Sequence, residues 1–165
     1  MSAYRVMTVC TGNICRSPMA AVVLRSRFAA AGLPVVVDST GISDEERGNP
    51  IDRRARAVLA AHGYVVDGTH RARQVRAGDL ATRDLVLAMT SQHARALRRL
   101  DGAGPVRMYR SFDPAAPRVA PGEPEHVLDI ADPWYGGQQD FEDCLAEVEA
   151  AADGIVDFVR TQLDG

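Results

Sequence analysis

The chain has 165 residues, 46% of them apolar and 25% charged, with a formal net charge of −3. These proportions predict one globular domain over residues 1–165 that can bury a full core. They exclude a collagenous or disordered chain and give no basic field for nucleic acid. All 19 basic residues are arginine, which rules out a lysine Schiff base and a phosphate loop of the G-x-x-x-x-G-K type.

The odd count of cysteines, Cys10, Cys15 and Cys144, forms no disulfide framework. No Cys-x-x-Cys or His-x-x-x-His pair offers a metal site, so no metal or cofactor is expected. No apolar run approaches 18 residues, and the N-terminus lacks a secretory pattern. The expectation is a reduced cytoplasmic protein without a membrane partner, and a monomer.

In chain order, Tyr4 to Val9 is short, apolar and β-branched, and predicts a buried strand. A loop with Gly12 and Asn13 follows. Ser17 and Pro18 then read as a helix cap and first helical position, with the helix running from Met19 to Ala31 and closed by Gly32. Val35 to Val37 is the second predicted strand, and Ser39 to Pro50 a polar surface loop. Asp52 to His62 predicts a helix stopping before Gly63. Leu85 to Ala88 is the third strand, Thr90 caps a helix to Leu100, and Val106 to Tyr109 is the fourth strand. Ser111 to Gly137 is proline-rich and predicts a long loop, a length that is usually functional. Phe141 to about Leu163 predicts a last helix, interrupted or kinked near Gly154. Strands alternating with helices imply a parallel sheet covered on both faces. The arginine clusters at 53–56, 71–76 and 95–99 read as solvated faces.

Open α/β sheets bind ligands at the carboxyl ends of their strands. The first such position reads Cys10-Thr11-Gly12-Asn13-Ile14-Cys15-Arg16-Ser17-Pro18. A loop between a strand and a helix start turns several N–H groups toward one point, and the helix N-terminus adds partial positive charge. Together they form a dianion site that needs no lysine. Gly12 is expected to supply the positive φ of a curled loop. Arg16 offers a planar fork matched to two phosphate oxygens. Cys10 would lie at the floor, where the same field stabilises a thiolate, and a thiolate facing a phosphoryl group is a placed nucleophile. Asp132, held extended by Pro133 in the long loop, is a candidate acid for the departing oxygen, with Asp129 the neighbouring alternative.

These residues resemble the low-molecular-weight protein-tyrosine phosphatases. The resemblance rests on the loop from Cys10 to Pro18 and on Asp132-Pro133-Trp134-Tyr135-Gly136. Asp38-Ser39-Thr40-Gly41, His62-Gly63-Tyr64 and His70-Arg71-Ala72-Arg73-Gln74 support it. It implies an α/β three-layer sandwich with a central four-stranded parallel sheet, the flavodoxin-like phosphotyrosine phosphatase I fold. It also implies metal-independent hydrolysis of phosphotyrosine in a phosphoprotein through a cysteinyl phosphate. Phosphate, vanadate or sulfate would compete as oxyanion inhibitors. By the resemblance, Cys10, Arg16 and Asp132 are catalytic, and residues 11–17 (Thr11, Gly12, Asn13, Ile14, Cys15, Arg16, Ser17) bind phosphate. His70 supports the loop at Asn13, with Ser17 and Ser43 in the same network, and Trp134 and Tyr135 wall the substrate slot. Cys15 matches a family cysteine able to trap an oxidised nucleophile, whereas Cys144 reads as a small buried residue.

The chain departs from the family at Glu45, where related phosphatases commonly carry a large aromatic. An acidic wall there disfavours acidic phosphopeptides and favours basic ones. Three alternatives share the anion loop. Arsenate reduction requires relay cysteines that residues 80–92 lack. Phosphoarginine hydrolysis is disfavoured by Ile14 and Tyr135. A non-catalytic phosphoprotein-binding module is disfavoured because Cys10, Arg16 and Asp132 are all present.

Overall fold

A computed structural model of the chain describes residues 3–101 and 105–165. The first apolar run forms β1 (Tyr4–Cys10), followed by α1 (Arg16–Ala30) and β2 (Val35–Gly41). Next come α2 (Arg53–Ala61), α3 (Ala77–Thr82), β3 (Leu85–Ala88), α4 (Ser91–Asp101) and β4 (Val106–Met108). The chain ends in α5 (Gln138–Asp164). The strands lie in the order β2-β1-β3-β4, and every pair is parallel. This is the predicted α/β architecture.

The strand order places the functional loop. From β1 the chain goes to β2 on one side and returns to β3 on the other, so β1 ends at a topological switch point, the crevice where such sheets hold ligands. Cys10 is the last residue of β1 and pairs with Gly41 at the end of β2. Side chains alternate between two cores. Val6 and Cys10 of β1 face α1, α2 and α5 with Leu24, Phe28, Leu59, Phe141 and Leu145. Met7 and Val9 face the other layer with Leu80 and Leu97. Each such fully buried side chain contributes on the order of 1.5–3 kcal/mol.

The helices differ from expectation in informative ways. Helix α1 begins at Arg16, two residues before the predicted first helical position at Pro18, with Cys15 rather than Ser17 in the cap position. Ser17 turns inward instead. Helix α3 was not foreseen; it is six residues long with only Leu80 buried, too short to show a helical period. Strand β4 stops at Met108, and Tyr109 opens a 3₁₀ turn and is fully buried. Its hydroxyl donates to Val148 O at 2.9 Å. The long loop carries two further 3₁₀ turns, over residues 125–128 and 133–135.

The expected interruption near Gly154 is absent, and α5 runs unbroken for 27 residues, about 40 Å. The glycine serves close approach instead. A methyl group at position 154 would lie 2.1 Å from the carbonyl oxygen of Phe112.

Candidate active site

The loop after β1 is shaped by Asn13. Its φ is +62°, the single positive value outside glycine among the described residues. Sequence reading assigned that role to Gly12, which does not adopt it. Asparagine tolerates the left-handed region when its side chain finds local partners. Here Nδ2 donates to Ser17 Oγ and to Ser39 Oγ, each at 2.9 Å, and Oδ1 accepts from Arg73 N at 3.1 Å. His70 Nε2 donates to the Asn13 carbonyl at 2.7 Å. Only a ring N–H can bond a carbonyl, which fixes the tautomer of His70. Burial lowers the His70 pKa, so the ring is neutral at physiological pH.

The network therefore contains Ser39, which sequence reading missed. Ser43, placed there by the resemblance, holds a different atom. Its Oγ and N–H both donate to the Thr11 carbonyl, at 3.3 and 3.0 Å. Gly41 lets β2 pass close beside the loop, because a Cβ there would fall 2.6 Å from Thr11 O. Ser17 Oγ stands 3.0 Å from Cys10 Sγ and 3.2 Å from Thr40 O. The Cys10 side chain lies beneath the loop and is 2% exposed.

Arg16 is 4% exposed. One terminal nitrogen donates to Ile130 O at 3.0 Å. The other reaches Thr11 Oγ1 at 3.3 Å and lies 3.5 Å from Asp132 Oδ2. Its buried Nε has no hydrogen-bond partner among the described residues. An unmet buried donor costs about 1–3 kcal/mol.

His93, which no sequence motif singles out, belongs to the same cluster. It is buried, its Nε2 lies 2.8 Å from Thr11 Oγ1, and its Nδ1 has no partner among the described residues. Burial, with the Arg16 charge beside it, lowers its pKa to about 3, so the ring is neutral. Position carries the signal: His93 opens the helix after β3, at the same carboxyl edge of the sheet as Cys10.

The far wall comes from residues 129–136. Asp132 Oδ1 accepts from Trp134 N at 3.0 Å, capping the 133–135 turn. Asp129 is turned away and accepts from Ser91 N at 2.7 Å at the start of α4, which removes it as the competing acid. A cleft of about 220 Å³ results, bringing Cys10, Arg16, Asp132, Glu45, Trp134 and Tyr135 together with loop residues Thr11, Gly12, Ile14 and Cys15. Asn13, Ser17, His70 and Ser43 stand behind it as supports. Trp134 and Tyr135 are exposed, at 41% and 89%. Burial first, then the Asp52 carboxylate, pushes the Cys15 thiol up. Burial also pushes Cys144 up to about 12. Both stay protonated at neutral pH.

Residues 5–164 match the family model described as low molecular weight phosphotyrosine protein phosphatase. A low molecular weight protein-tyrosine-phosphatase of Streptomyces coelicolor is 49% identical over 98% of this chain and 97% of its own length. The low molecular weight protein-tyrosine phosphatase A of Mycobacterium tuberculosis is 45% identical over 96% and 93%. The chain belongs to the low molecular weight phosphotyrosine protein phosphatase family. Among solved structures, YfkJ from Bacillus subtilis superposes with a TM-score of 0.86 at 28% identity, covering 98% of each chain. Membership in this phosphatase family accounts for a cleft that presents a cysteine, a buried arginine and an aspartate to one small volume.

Proposed function

We propose that this chain is a protein-tyrosine phosphatase that hydrolyses phosphotyrosine through a cysteinyl phosphate, acting as a monomeric single domain in the cytoplasm. One observation carries the reading. The buried Arg16 guanidinium lines the cleft beside Cys10 with its Nε unmatched, and Asp132 stands 3.5 Å from its other edge. A phosphoryl dianion meets that donor and the loop N–H groups together.

In the first step Cys10 Sγ attacks phosphorus in line with the phenolic oxygen. The S–P bond forms as the P–O bond breaks, and Asp132 gives its proton to the departing phenolate. In the second step Asp132 takes a proton from water, which displaces the Cys10 thiolate and releases phosphate. Ser17 Oγ, 3.0 Å from Sγ, donates a hydrogen bond to the thiolate at both ends of the cycle. Such transfers depend mainly on positioning and electrostatic stabilisation. Three cysteines without a disulfide among them suit a reducing compartment. Among the described residues no helix is long and apolar enough to cross a membrane.

Glu45 and Glu46 both line the cleft, which supports phosphotyrosine with basic neighbours as the preferred substrate. The deciding experiment is phosphate release from a phosphotyrosine peptide with a metal chelator present, wild type beside Cys10→Ser. Turnover by the wild type and its loss in the variant are expected. A folded wild type that releases no phosphate overturns the reading.

A further inference from the structure

We infer that Arg54, on the first turn of α2, is a positioning residue that ties the acid loop to the phosphate loop and so sets where Asp132 stands. The inference rests on the catalytic reading above and adds a residue that the reaction scheme does not use.

Arg54 is poorly placed to serve its own helix. A cation in the first turn opposes the helix dipole, and the acidic group that offsets it is the cap Asp52, just outside the helix. What the guanidinium does lies across the cleft. One terminal nitrogen donates to Trp134 O at 3.1 Å and to Gly136 O at 3.3 Å. Its central carbon lies over two rings, 5.1 Å from the centroid of Trp134 and 4.6 Å from that of Phe141. Among the described residues, no other side chain from outside 132–140 hydrogen-bonds to residues 133–137. Asp132 directly precedes that segment and caps its turn.

The other edge of Arg54 is anchored to the phosphate loop through Asp52. The guanidinium meets the carboxylate at 3.2 Å (Nε to Oδ1) and 3.3 Å. The same carboxylate caps α2 at Arg54 N and Ala55 N. The backbone N–H of Asp52 donates to the Ile14 carbonyl at 2.8 Å. A continuous path thus runs from Ile14 through Asp52 and Arg54 to the middle of the 133–135 turn at Trp134 and to its C-cap at Gly136. The planar fork suits it, because one group must bond a carboxylate and two carbonyls while stacking on rings. A lysine ammonium cannot do all of these.

The test compares Arg54→Met, Arg54→Lys, Asp132→Asn and the double variant Arg54→Met/Asp132→Asn with wild type. The readouts are kcat/KM for phenyl phosphate and for 4-nitrophenyl phosphate, and the inhibition constant of inorganic phosphate. Phenolate, with a pKa of about 10 like tyrosine, needs the acid; 4-nitrophenolate needs it much less. Because kcat/KM covers steps up to the first chemical transition state, it reports placement of the acid. Arg54→Met should lose about tenfold on phenyl phosphate, in line with the cost of small misplacements, and under about threefold on 4-nitrophenyl phosphate. Phosphate inhibition should stay within about twofold, and Arg54→Lys should lose as much as Arg54→Met. In the double variant the Arg54 change should cost nothing further on phenyl phosphate, since both act through one group.

Equal losses on both esters, a matching rise in the phosphate constant, or full activity in Arg54→Lys overturns the inference. So does additivity in the double variant. If Asp132→Asn itself loses nothing selectively on phenyl phosphate, the acid assignment fails, and that outcome is distinct from a failure of Arg54 alone. Melting temperatures identify a misfolded variant, and Arg54→Lys, which keeps charge and length, then carries the test.

Discussion

In the phosphate loop, Asn13 is wholly buried and holds Ser17, Ser39, Arg73 N and the His70 ring at once. In the acid loop, Asp132, Trp134 and Tyr135 are exposed, and Arg54 supplies the outside hydrogen bonds to the turn. The difference follows from what each must do. Donors aimed at transition-state charge work best when they do not reorganise, which calls for a loop fixed by buried bonds. An exposed wall makes fewer buried contacts, and such segments come from the low-stability end of a structure. The two loops meet at the Arg16 and Asp132 side chains.

Changes at the chemical centre should separate the loops most sharply. Asp132→Ala should lower kcat/KM on phenyl phosphate by about 10²–10⁴-fold and much less on 4-nitrophenyl phosphate, with phosphate binding kept. Equal losses on both esters would remove Asp132 as the acid.

Next in size are changes to the rigid loop, which should cost stability as well as rate. Asn13→Ala forces alanine into the left-handed region and strands buried partners, at about 3 kcal/mol of unfolding free energy. Asn13→Gly meets the backbone demand and should cost about 1 kcal/mol less. Urea unfolding checks both values, and no difference between the two would show that the positive φ carries no strain.

The pH dependence of stability tests the same loop. His93 has a folded pKa lowered to about 3, below the ordinary value near 6.5. Between those values the unfolded chain binds the extra proton, so stability falls as pH drops from about 6.5 toward 3. At pH 5 the deficit from His93 is about 2 kcal/mol. His70, whose pKa is also lowered, adds in the same direction. Urea midpoints at pH 7.5 and 5 should fall less for His93→Gln than for wild type.

The smallest expected effect lies on the open wall. Glu45→Trp should improve kcat/KM for an acidic phosphotyrosine peptide by a factor of about five and reduce it for a basic one. Unchanged kinetics on both peptides would sink the acidic-wall reading.

How much of this could be read from sequence varies with the range of the interactions. Strands such as Leu85 to Ala88 were legible because apolar runs are local signals, and so was a loop leading into a helix after β1. The start of α1 was misread for a physical reason. Ser17 has the composition of a cap, but its hydroxyl is recruited by Cys10 and Asn13. Gly12 was the obvious bearer of positive φ, and only tertiary partners explain why Asn13 takes it. Ser39, His93 and Arg54 were missed because their partners lie 26, 82 and 80 residues away, and no local pattern reports such a pairing. His93 alone had an overlooked positional signal, its place beside the end of β3.

The bond from Arg16 to Ile130 spans 114 positions, and α1 packs against α5. During synthesis the phosphate loop therefore leaves the ribosome long before its partners. Helix α5 supplies Phe141, Leu145 and Val148 to the core around Cys10, so an emerging chain lacks the material to close that core. Catalytic competence should appear late and all at once, as the last helix docks. Folding would be governed by contacts of long sequence separation, which form slowly.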